Sequence, residues 1–197
     1  ILQTTMNICI KNVPENERIL FDESLSLGED QWFIFSWLLK KQKLGFVKEA
    51  VYRYFRHSGS ASSMFNNPYY CFEQYTEFLR KLLNACRDEK GKAHPTAQAL
   101  VVYNLGWRLT SDMLVSHSDE ETESKQYAVL REIMQEVETS VICNSIYIDP
   151  FHVECFMRLK NEPCDISVNA SAMSASSGGN LWFAQAHSIV FNTLRLH

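Results

Sequence analysis

Two adjacent carboxylates, Glu29 and Asp30, stand between Gly28 and an apolar run of Trp32, Phe33, Phe35, Trp37, Leu38 and Leu39. This is the stretch whose residue types and spacing could do chemistry. The run predicts a helix from about Asp30 to Gln42, with Asp30 in or near its first turn, where unbonded backbone N–H groups favour an anionic carboxylate. A carboxylate is thereby fixed at the rim of an apolar core. One use of such a group is to cap the helix; another is to take a proton from a bound substrate. Asp22 and Glu23 lie just upstream, so a two-carboxylate hydrolase pairing one of them with Asp30 is a further option, although nothing else in the sequence completes its cleft. A second stretch, His57-Ser58-Gly59-Ser60-Ala61-Ser62-Ser63, is small and rich in hydroxyls and amides. It suits wrapping an anionic group, although composition alone favours an ordinary connector.

The elements that must position these groups are legible in outline. Asn7 to Ile10 reads as a short strand or an extended lead-in, and Asn12-Val13-Pro14-Glu15-Asn16 as a turn. Lys40, Lys41 and Lys43 suit the C-terminal end of the first helix, with Gly45 as its stop. Ala50 to Arg56 alternates β-branched and aromatic residues and predicts a strand. From Pro68 the pattern becomes helical. One helix runs to about Arg87 with a stripe of Phe72, Tyr75, Phe78, Leu79, Leu82 and Leu83, and a second runs from Pro95 to about Ser116. A third opens at Ser118-Asp119 with the stripe Tyr127, Leu130, Ile133, Met134 and Val137, and a short fourth opens at Asp149-Pro150. Ser167 to Gly179 has the composition of a flexible linker.

The chain has 197 residues, 46% hydrophobic, with a formal net charge of −4. That supports a globular protein and gives no electrostatic reason to expect a nucleic-acid partner. The six cysteines form no CxxC pair, which argues against a zinc site and for unpaired thiols in a reducing compartment. No run approaches the roughly 20 apolar residues a membrane span needs. A start at Ile1-Leu2-Gln3, without an initiator Met, reads as the interior of a longer protein.

Taken in order, Asp22-Glu23, Gly28-Glu29-Asp30, a helix with two aromatics at its start, and Val51-Tyr52-Arg53-Tyr54-Phe55-Arg56-His57-Ser58-Gly59-Ser60 resemble the second half of family-2 glycosyltransferases of the GT-A fold. These are inverting enzymes with nucleotide-sugar donors, and the resemblance covers roughly Asn7 to Ser63. It implies that Asp30 is the general base for an acceptor hydroxyl and that Glu29 orients the acceptor. It further implies that Arg53, His57, Ser58 and Ser60 contact the donor diphosphate, His57 also reaching the divalent metal (Mg or Mn) that the diphosphate carries. Arg56 points away from Arg53 in a period-2 strand and drops out. The family's nucleotide-binding half, with its Asp-x-Asp metal motif, normally precedes this region and is absent from these residues. The main metal ligands are therefore expected outside the chain, and the fragment alone is expected to be inactive.

The expected architecture is mainly α with a small α/β portion, a partial GT-A-like segment followed by a helical bundle. Residues 1–65 are the end of the catalytic domain, 66–165 a helical extension, 166–180 a linker, and 181–197 a terminal segment of unassigned fold. The implied partners are a nucleotide-sugar donor and a glycan acceptor, in the cytoplasm or at the inner face of the membrane, with the helical part offering an oligomerisation surface. The competing expectation is a non-enzymatic helical interaction module, in which Gly28-Glu29-Asp30 is a plain helix start.

Overall fold

A computed structural model describes residues 8–43, 45, 49, 51 and 68–164, with side chains of the second stretch from residue 72 onward. Among the described residues there are six α-helices and no strand: α1 (Glu29–Lys41), α2 (Pro68–Ala85), α3 (Pro95–Thr110), α4 (Glu120–Gln135), α5 (Thr139–Cys143) and α6 (Pro150–Lys160). The protein is mainly α, as expected. Ile8 to Ile10 carry no regular structure. The strand expected over Ala50–Arg56, apart from Val51, the loop after it, the linker and the terminal segment lie outside the described residues. The chain divides into two compact units, Ile1–Phe78 and Leu79–His197.

In the first unit, Gly28 sets where α1 begins. Its φ of 77° is left-handed, and a Cβ there would meet ring atoms of Phe78 at 2.7 Å. Only glycine satisfies both conditions cheaply. Trp32 N–H then donates to the Gly28 carbonyl at 2.8 Å, the first bond of the helix. Ile34, Phe35 and Trp37 form the buried face of α1. The helix ends at Lys41 with Gln42 as its C-cap, left-handed at φ 51°, within a residue of the expected end; Gln42, and not Gly45, makes the stop. A 3-10 turn, Glu15–Glu17, is tied to the end of α1, where Lys40 Nζ donates to the Glu17 carbonyl at 2.7 Å and Lys41 Nζ lies 3.4 Å from Glu17 Oε2.

The second unit is a helical assembly in which α4 packs on α6, α3 on α5 and α5 on α6. Its core holds Leu105, Leu130, Ile133, Met134, Ile142 and Phe156, all essentially without exposure. Helix starts follow the sequence. Asp119 accepts the Thr122 N–H at 2.8 Å, and Asp149 accepts the His152 N–H at 3.0 Å ahead of Pro150. The second bundle helix ends at Thr110, not at Ser116. Asp112 turns left-handed at φ 54°, so that Met113 N–H returns to the Arg108 carbonyl at 2.8 Å and Asp112 N–H to Leu109 at 3.3 Å. Those paired bonds satisfy the last carbonyls and close the helix. Leu114 and Val115, expected on the helix, are buried as part of the connection that follows. The described cysteines Cys9, Cys86, Cys143, Cys155 and Cys164 are free, and burial pushes the Cys155 thiol up to about 12.

Two stability predictions follow from these contacts. Gly28→Ala combines left-handed strain with overpacking against Phe78 and should cost roughly 2–5 kcal/mol. Urea unfolding checks it, and the cost should shrink in a Phe78→Leu background, where the ring is gone. At Asp149, burial raises the carboxyl, but hydrogen bonds from the His152 side chain and backbone outweigh that and hold it below the usual carboxylate range. Its stabilisation is therefore present above the ordinary carboxylate pKa and lost as pH falls through the lowered value. Asp149→Ala should cost about 1–2 kcal/mol near pH 7, with the difference from wild type vanishing in acid.

Candidate functional site

Glu29 and Asp30 are the first two residues of α1, both partly exposed. Gly28 occupies the capping position and offers no side chain, so neither carboxylate serves as the N-cap. Asp30 Oδ1 instead accepts the N–H of Gln31 at 2.7 Å. That bond holds the carboxylate in the first turn, where the free N–H groups and the helix dipole favour its charged form. Just upstream, Asp22 Oδ1 accepts both the backbone N–H of Ser24, at 3.0 Å, and its hydroxyl, at 2.5 Å. Together with the Leu25 N–H to Asp22 carbonyl bond at 3.1 Å, this makes Asp22 a turn-forming residue that fixes the loop ahead of α1. Phe21, at the start of this turn, stacks on Phe33 with ring centroids 4.3 Å apart and planes within 5°. Phe33 in turn meets Trp37 edge-on at 6.4 Å. Asp30, Phe33 and Trp37 are spaced i, i+3, i+7 and share one face of α1. A carboxylate and an aromatic row thus lie side by side on one helix.

The expected diphosphate contacts Arg53, His57, Ser58 and Ser60 lie outside the described residues. Among the described residues, no three of His, Cys, Asp and Glu gather as a metal-binding group. No described helix is long and apolar enough to cross a membrane. The Phe21–Phe33 stack was not expected from sequence. Its signal was the apolar patch Ile19-Leu20-Phe21 leading into the acidic turn.

Over 149 residues, 74% of this chain, the sequence is 25% identical to the minor teichoic acid biosynthesis protein GgaB of Bacillus subtilis (strain 168). The chain spans 17% of that protein's length. No family model matches the chain, and no solved structure matches it.

The second unit has a polar cavity of about 540 Å³, lined among others by Arg87, Lys92, Lys160, Glu136, Glu138 and Glu162. Its charges close on one another. Arg87 pairs with Glu136, Lys92 lies 2.8 Å from Glu138, and Lys160 lies 3.3 Å from Glu162. The Lys92 and Gln98 side chains hold Glu138 below the usual carboxylate range. Lys160, only 4% exposed, donates to the carbonyls of Val137 at 2.7 Å and Met134 at 3.1 Å, capping the end of α4 from α6. This cavity reads as a structural joint between helices. Lys160→Met keeps the stem but leaves the Val137 carbonyl without its donor, while the Met134 carbonyl keeps the Val137 N–H at 3.1 Å; it should lower unfolding free energy by roughly 1–3 kcal/mol. Denaturant titration of the chain measures it, and a loss below about 0.5 kcal/mol would remove Lys160 from this role.

Proposed function

We propose that the chain is the later part of the catalytic region, with a helical extension, of an inverting, family-2-like glycosyltransferase of surface-polysaccharide synthesis. The observation that carries this reading is the similarity to a teichoic acid biosynthesis protein over most of the chain. The placement of Asp30 is compatible with the role that the sequence resemblance gives it.

In this reading the acceptor hydroxyl oxygen attacks the anomeric carbon of a nucleotide sugar. The bond from that carbon to the diphosphate oxygen breaks, the nucleoside diphosphate leaves with the electron pair, and the hydroxyl proton passes to Asp30. Attack from the face opposite the leaving group inverts the sugar centre, so one carboxylate base suffices and no second carboxylate acts as nucleophile. The hydroxyl becomes acidic only as the new bond forms, which makes a carboxylate already charged and positioned a suitable base. The Gln31 N–H supports that state, because it donates to the Asp30 oxygen without supplying a proton for transfer. Glu29, adjacent on the first turn, orients the acceptor. Arg53, His57, Ser58 and Ser60 offset the charge that develops on the diphosphate. A divalent metal belongs to this reading, with its main ligands contributed elsewhere in the whole protein. So do the nucleotide-sugar donor, the glycan acceptor and a place at the cytoplasmic face of the membrane.

The test is Asp30→Asn in the full-length protein. Sugar transfer should fall by roughly 10²–10⁴-fold while nucleotide-sugar binding survives, because a base acts in the transition state and not in donor binding. Turnover within a factor of a few of wild type would take the base role from Asp30.

A further inference from the structure

We propose that the open face of Phe21 is the platform on which a pyranoside acceptor stacks beside Asp30. This rests on the glycosyl-transfer reading above and adds to it the class of acceptor: a ring sugar, in preference to an open-chain polyol or a phosphate.

The geometry that points to it is local to the loop and the first turns of α1. Phe21 is 48% exposed although one of its ring faces is held flat against Phe33 at 4.3 Å. A ring fixed on one side and open on the other is a rigid planar surface and not a side chain waiting to collapse. Both supports are themselves fixed. Phe33 is braced edge-on by Trp37 and rises from the helix face that carries Asp30, while the residue after Phe21 is locked by its two bonds from Ser24. The platform therefore cannot swing away from the carboxylate without breaking the Asp22 turn or the stack.

The chemistry of such a surface is specific. One face of a pyranose presents several C–H bonds carrying small positive charge, and the face of a phenyl ring is the negative end of its quadrupole. Stacking buries that apolar face and leaves the hydroxyls around the ring's edge, where a carboxylate accepts hydrogen bonds from them and one hydroxyl meets the base. Glycerol and other open-chain polyols have no such face. Phosphate likewise has no C–H face to lay on a ring.

The experiment is saturation-transfer NMR on the full-length protein with three probes: methyl β-glucopyranoside, methyl N-acetyl-β-glucosaminide and glycerol. At least one pyranoside should take up saturation on its C–H face with wild type and with Phe21→Trp, which keeps an aromatic face. Phe21→Leu, which keeps apolar bulk without one, should lose most of that signal, and glycerol should show none with any form. With the responding pyranoside as acceptor, Phe21→Leu should raise the acceptor KM by about 5- to 10-fold while the donor KM stays put. The proposal is overturned if no pyranoside responds with wild type, if Phe21→Leu binds as well as Phe21→Trp, or if glycerol responds equally. It is also overturned if Phe21→Leu lowers the thermal midpoint and alters both KM values together, the signature of a residue packed against protein. Asp30→Asn run in parallel separates the two readings. Saturation that survives in Asp30→Asn with turnover unchanged leaves the platform and removes the base; turnover lost in Asp30→Asn with Phe21→Leu indistinguishable from wild type does the reverse.

Discussion

The contact between Gly28 and the ring of Phe78 fixes the point from which the candidate site is built. A backbone at φ 77° with an aromatic ring over its open face admits no side chain, and the next residue, Glu29, is forced to be the first of α1. The carboxylates of the candidate site take their position from that start. A helix starting one residue later would make Asp30 its first residue and shift its direction by about 100° relative to the loop that carries Phe21. Small residues are often read as permissive; here the glycine is restrictive, because it is the residue that lets Phe78 come close enough to lock the register.

The second unit solves a different problem with ordinary means. Its helices α3 to α6 run from 5 to 16 residues, and the unbonded polar groups at their ends must find partners. Side chains from neighbouring helices supply them. Lys160 of α6 reaches the carbonyls closing α4, Gln98 of α3 accepts the Glu138 N–H at 2.7 Å ahead of α5, and Thr110 at the end of α3 lies 2.8 Å from His152 Nε2. These bonds are long-range in sequence and tie ends together, and the one from Lys160 lies at the wall of the polar cavity.

The same distinction between local and long-range interactions decides what could be read from the chain. Helix starts were legible because an N-cap is a local chemical event: Asp119 and Asp149-Pro150 name their positions, and the apolar stripes of α2, α4 and α6 follow from a 3.6-residue period. Helix ends were less so. Gln42, Asp112 and Asn161 all adopt left-handed φ without being glycine, and no local signal distinguishes an Asp that will do this from one that will continue the helix. The five-residue α5 was missed for a related reason, since it is too short to show a period and is held by its packing on α3 and α6. For the site, the carboxylate's place on α1 was readable, while the Phe21–Phe33 stack was not, because it joins a loop residue to a helix residue through a turn whose geometry depends on Asp22.

A carboxylate in a first turn is common and carries no information about what it acts on. A fixed aromatic surface does, and the loop residue Phe21, held on Phe33 of α1, is one: in the proposed role it discriminates by shape between molecules with and without a flat apolar side, without adding charge. In that proposal the similarity to a teichoic acid biosynthesis protein supplies the reaction class and the open face of Phe21 supplies the preference for a ring, so the second depends on the first.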